Sequence, residues 1–190
     1  MNRWIILLFM LIVTQSINAQ TNSYTFLEYE NLSHLNDQKW INPQVNVLGS
    51  GNRDGSRIGT YFFASVNPHW GQAYGGLSYQ LSPWLRVNTG VGLETDSLPC
   101  RFNISSFITL NKLSLLQIYE YGGSGFWYSI ILNYALRPNL KTGWLFKRYY
   151  GFGPNFEWDI GKSSAILNIA PVYDFEFDQA KLMVIFRYVI

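Results

Sequence analysis

The sequence predicts an all-β fold: a closed antiparallel transmembrane β-barrel of about 12 strands, with 10 as the lower count. Three observations predict it. Apolar and polar residues alternate over stretches of roughly nine to eleven residues, separated by turn residues, along nearly the whole chain. Charged residues are only 14% of 190, against roughly 25% in an ordinary soluble domain. The charges that fall within strands share one face, while the other face is apolar and aromatic.

The first segment is not part of the barrel. Arg3, then the apolar run Trp4 to Val13, then polar residues leading to Ala19, have the three-part layout of a secretory signal peptide. The run is shorter than the ~20 apolar residues a spanning helix needs. The expected division is therefore 1–19 signal peptide and 20–190 a single barrel domain.

Strands are expected at Tyr24 to Glu30, Ile41 to Leu48, Arg57 to Asn67, Ala73 to Leu81, Trp84 to Glu94 and Arg101 to Leu110. They continue at Leu113 to Tyr121, Phe126 to Leu136, Asn139 to Tyr149, Phe152 to Ile160, Ser163 to Asp174 and Ala180 to Ile190. Ser82-Pro83, Asn111-Lys112, Arg137-Pro138 and Gly161-Lys162 read as tight hairpin turns. Thr95 to Cys100 and Gly122 to Gly125 read as looser connections. In the strand Leu113 to Tyr121, Gln117 interrupts the apolar face.

The faces assign the charges. Glu28, Glu30, Arg57, Arg86, Glu94, Arg101, Glu120, Lys141, Lys147, Glu157, Asp159, Asp174, Lys181 and Arg187 fall on the polar face. None of the charges lies mid-strand on the apolar face, where Phe62, Tyr128, Trp144, Phe156, Trp158, Phe186 and Tyr188 stand. A soluble sandwich alternates in the same way. Strands of spanning length, an even count that lets first and last pair, and Trp and Tyr near strand ends favour the membrane barrel. Trp40, Trp84, Trp127, Trp158 and Tyr188 are read as such girdle residues.

On this pattern the chain resembles the small outer-membrane β-barrel proteins of Gram-negative bacteria. Lys181, Phe186 and Tyr188 resemble the spacing of that class's C-terminal assembly signal, with Met183 where a glycine is usual. The resemblance implies export, residence in the outer membrane, contact with its lipid and recognition by the barrel-assembly machinery.

In a barrel the polar face lines the lumen. Hairpin geometry sets Glu94 near Arg101, Asp174 near Lys181, and Lys141 opposite Asp159, leaving Glu157 without a partner. Glycines at 59, 76, 90, 92, 143 and 153 share this face. They leave room or let strands bend sharply. Tyr61, Tyr74, Phe107, Trp127 and Tyr149 would fill part of the space.

Other chemistries find little support. With a net charge of +2 and no basic cluster, a nucleic-acid partner is not expected. His34 and His69 fall in expected loops, distant from each other, and with the single Cys100 make no metal-ligand cluster. No cofactor is implied. Neither His sits in a His-x-Ser pattern, so a lipid-modifying enzyme is the most distant reading. Glu157 and Asp159, about 7 Å apart on one strand face, could pass for a glycosidase pair. No second chemical group converges on them. Asp96-Ser97-Leu98 looks like an O-glycosylation sequence at Ser97. The expected role is a small channel for polar solutes with a mixed-charge lumen. The alternative is a structural or accessory barrel of an envelope assembly with a filled lumen.

Overall fold

The computed structural model describes residues 22–35, 43–52, 55–161 and 164–190. The signal-peptide segment, Trp40 and Lys162 lie outside the described residues. Twelve strands form one sheet: β1 Asn22–His34, β2 Gln44–Asn52, β3 Ile58–Val66, β4 Gly71–Ser82, β5 Leu85–Glu94, β6 Cys100–Leu110, β7 Leu113–Gly122, β8 Gly125–Arg137, β9 Leu140–Lys147, β10 Gly151–Asp159, β11 Ala165–Asp174 and β12 Gln179–Val189. Each strand pairs antiparallel with its sequence neighbours, and β1 pairs with β12 from Phe26↔Val189 to His34↔Lys181. Closure removes both sheet edges, so no ladder of backbone donors is left unpaired.

The turns explain the hairpins. Leu110 pairs with Leu113 across Asn111-Lys112, and Asn111 has φ 52°, a conformation Asn tolerates better than most residues. The connections 83–84, 111–112 and 138–139 are short, and both ends of the barrel chain lie on their side. The opposite end carries the connections after β1, β3, β5, β7, β9 and β11.

Most boundaries differ from expectation by a residue or two, and three of the differences bear on pairing. β2 runs on past the expected end at Leu48, through Gly49-Ser50-Gly51 to Asn52. Pairing of this stretch with both β1 and β3 overrides its weak strand propensity. β1 extends to His34, which pairs with Lys181 and is strand, not loop. Between β9 and β10, Lys147 pairs with Gly151 around Arg148-Tyr149-Tyr150. Tyr149 (φ 69°) and Gly151 (φ 120°) make this a tight three-residue turn. The register then places Glu157, not Asp159, opposite Lys141.

The inward glycines serve curvature. A Cβ on Gly143 would lie 1.7 Å from the Leu132 carbonyl oxygen, and one on Gly153 would lie 1.9 Å from that of Pro171. Neighbouring backbone occupies the side-chain position, so the wall bends where only glycine fits.

The two faces separate as chemistry requires. Outside, Trp144 stacks on Phe152 at 5.0 Å between ring centroids, and Tyr128 meets Phe146 at 5.0 Å. Gln117 does fall on this face; its amide oxygen accepts the Ser106 hydroxyl from β6 at 3.0 Å. Tyr128, Trp144, Phe156, Trp158, Phe186 and Tyr188 all hold outward positions. Phe62 departs from the expected lipid contact: its position is outward, but the ring is only 2% exposed. Its partners across β2 and β4 are Gly49 and Gly75, which offer bare backbone for the ring to cover. Inside, Leu32, Leu145, Tyr150, Ala170, Val172, Met183 and Ile185 form an apolar cluster, with Ile131 against it.

Candidate functional site: the lumen

Two cavities occupy the barrel interior. One, of about 290 Å³, opens towards the end with the loops after β3 and β7; Asn67, Trp70, Gln72, Ser124 and Trp127 are among its lining residues. The other, of about 470 Å³, opens towards the tight-turn end past Pro83 and Trp84. Phe26, Leu48, Leu116, Ile118, Ile131 and Arg187 line both. The two cavities thus adjoin at one level of the lumen, its waist, where five of the six shared residues are apolar and the sixth is Arg187.

Alternation hides such a waist. Leu116, Ile118 and Ile131 sit on β7 and β8, where most outward residues are also apolar, so the sequence shows a run rather than a period. The resulting lumen is less polar at mid-height than the charge pattern implies. Trp127 lines one cavity, as expected from its inward position, and Trp84, read only as a girdle residue, lines the other, because they share the face of Ser129 and Arg86.

The charges are arranged as local networks. At the loop end, Arg101 contacts Glu94 at 3.0 Å and Glu120 at 3.2 Å, and all three are buried. The Ser124 hydroxyl and backbone N–H donate to Glu94 at 2.6 and 3.0 Å. Gln72 donates to Glu120 at 3.2 Å and accepts from the Tyr74 hydroxyl at 2.8 Å. Lys147 reaches Glu30 across the barrel seam at 2.7 Å, with its ammonium 3.8 Å from the Tyr150 ring centroid. Burial and the Glu30 carboxylate push the Tyr150 phenol well above its ordinary range, so it stays a neutral donor. Lys181 bridges Asp174 at 2.6 Å and the Tyr149 carbonyl at 2.9 Å.

At the turn end, Lys141 contacts Glu157 at 2.5 Å and Asp159 at 4.0 Å. Arg187 contacts Glu28 at 2.8 Å and Glu157 at 3.7 Å. Glu157, expected to be unpartnered, is therefore held by two cations. The expected pairs Glu94–Arg101 and Asp174–Lys181 are present. Arg86 lines the same cavity, and Arg57 is exposed just before β3.

The remaining singled-out residues stay apart. His69 is exposed in the β3–β4 loop, where its backbone N–H donates to Asn67. No group of three or more His, Cys, Asp or Glu side chains suited to a metal occurs among the described residues. Cys100 is exposed at the start of β6. Ser97 is exposed and donates to Asp96 at 2.9 Å. That bond, helped by the Leu98 backbone N–H, holds the Asp96 carboxyl below its ordinary range.

No protein-family model and no curated protein sequence matches the chain. Among solved structures it is similar to the KdgM porin, with a TM-score of 0.54 and 15% identity over 86% of this chain and 98% of that one. It is likewise similar to the KdgM porin in complex with disordered oligogalacturonate, with a TM-score of 0.55 and 13% identity over 86% and 98%. A looser superposition on the Ralstonia pickettii toluene transporter TbuX, with a TM-score of 0.48 and 8% identity over 88% and 89%, adds no argument. What this chain shares with these proteins is the fold, a closed antiparallel barrel of the kind that porins use.

Proposed function

We propose that this chain is an outer-membrane, porin-like channel that passes small polar solutes through a narrow lumen. The observation that carries the reading is the pair of polar-mouthed cavities that meet at one waist on the barrel axis. The outward aromatic belt fits a lipid surrounding. In this reading residues 1–19 direct export and are removed. Lys181, Phe186 and Tyr188 on β12 present the assembly signal to the barrel-assembly machinery.

Each mouth offers amide, hydroxyl and charged groups that replace part of a solute's hydration. The waist then selects by size and by the cost of drying. The KdgM barrel solved with oligogalacturonate supports a polar solute for a barrel of this fold. No catalytic residue is assigned. The test is conductance: the refolded mature protein, added to a planar bilayer, gives discrete steps. Electrically silent insertion defeats the channel and favours the filled, structural barrel. The packed cluster around Leu145 and Met183 is the observation that would then explain it.

A further inference from the structure

We infer that the turn-end cavity is a binding site for a small organic carboxylate with an apolar body, its carboxylate held by Arg86. The inference goes beyond the channel reading and needs no conduction.

The first observation is a missing counterion. Arg101, Lys141, Lys147, Lys181 and Arg187 each lie within 4.0 Å of a carboxylate. Arg86 has no such partner among the described residues, although it is half-buried in the lumen wall. A guanidinium withdrawn from water without a counter-charge attracts an anion.

The second observation is preorganisation. Arg86 Nε donates to Gln80 Oε1 at 2.9 Å, and Nη1 donates to Ser50 Oγ at 3.0 Å. Gln80 is itself anchored, its amide nitrogen donating to the carbonyls of Ser82 at 2.6 Å and Leu85 at 3.3 Å. Two of five N–H groups are thus used, both on neutral acceptors. With Nε taken by Gln80, both Nη2 N–H groups and the second Nη1 N–H have no acceptor among the described residues, so a carboxylate is accommodated at the Nη1/Nη2 end of the guanidinium.

The third observation is the surroundings. Glu157, the carboxylate that lines this cavity, belongs to β10, across the barrel from β5, and is occupied by Lys141 and Arg187. It does not compete for Arg86. Trp84 and Phe107 flank the cavity, and Phe26, Leu116 and Ile131 form its floor. A volume of about 470 Å³ admits a ring-sized acid. The charged head meets Arg86 while the body rests on the apolar waist.

The experiment is equilibrium dialysis of the mature protein, refolded in detergent, against labelled benzoate at neutral pH. Benzyl alcohol serves as the uncharged analogue, and detergent alone gives the blank. Saturable benzoate binding is expected, at least about tenfold tighter than benzyl alcohol, since a charge-assisted pair is lost with the carboxylate. Arg86→Gln weakens benzoate about tenfold or more, whereas Arg137→Gln, at the exposed end of β8 on the same side of the barrel, leaves it unchanged. No saturable benzoate binding, or equal binding of the alcohol, overturns the inference. So does full binding by folded Arg86→Gln. The benzoate–alcohol comparison uses the wild-type chain and decides even where the variant does not fold. A silent bilayer with saturable benzoate binding defeats the channel alone, and a conducting protein that ignores benzoate defeats this site alone.

Discussion

Replacing Arg101 by Met tests whether the loop-end network holds the barrel together. Arg101 is 2% exposed and sits between Glu94 and Glu120, whose side chains are 0% and 2% exposed. Without the guanidinium, two carboxylates face each other in a poorly hydrated wall. Breaking a buried pair in this way costs roughly 3–5 kcal/mol. Trp70, Ser124, Gln72 and Asn103 still donate to the carboxylates, so the lower end, about 3 kcal/mol, is expected. That is more than about a hundredfold in the folding constant. Urea titration of the detergent-refolded barrel, followed by Trp fluorescence and by the gel migration of folded and unfolded forms, measures it. The reference is Lys141→Met. Lys141 is 31% exposed, and Glu157 keeps Arg187. Its loss should be about 1 kcal/mol or less. The triple variant Arg101→Met/Glu94→Gln/Glu120→Gln should recover much of the stability, since no bare charge remains. If Arg101→Met leaves the midpoint unmoved, or Lys141→Met costs as much, burial does not set the worth of these pairs and the reasoning fails.

Gly143→Ala should destabilise by about 1–3 kcal/mol, because its Cβ would meet the Leu132 carbonyl, while Gly90→Ala, whose nearest contact is 3.2 Å, should cost less in the same titration. A variant retaining Trp144 as its only tryptophan should be quenched by lipids brominated on their chains; one retaining only Trp84 should not, and the reverse would invert the faces. Ile131→Ser and Leu116→Ser should raise single-channel conductance several-fold by wetting the waist, and unchanged steps would place the narrowest point elsewhere.

Much of the molecule was legible because its topology is local. Every strand but the seam pairs across a short connection, so turn chemistry and period-2 alternation suffice to order the sheet. The same locality made Glu94–Arg101 and Asp174–Lys181 legible, since each pair straddles one hairpin. Asp159 lies within 4.0 Å of Lys141 as expected, but the register opposite Lys141 was misread, because it depends on how Tyr149 and Gly151 turn, and a two-residue slip keeps every side chain on its face. Alternation cannot detect that error.

Contacts across the seam or across the lumen left no sequence signal. Lys147–Glu30 and Arg187–Glu28 join residues 117 and 159 positions apart. The apolar waist was equally hidden, because Leu115, Tyr119, Ile130 and Leu132 on the outer face are apolar as well, and the one polar outer residue, Gln117, blurs the period further. By itself, then, the sequence determined which face most of the charged side chains take and that strands follow one another as hairpins, because both follow from neighbouring residues. Closure decided the rest: which charges neutralise one another, where the two cavities adjoin, and that Arg86 faces a cavity with no carboxylate partner among the described residues. Those are properties of twelve strands curved around a common space, and no single hairpin contains them.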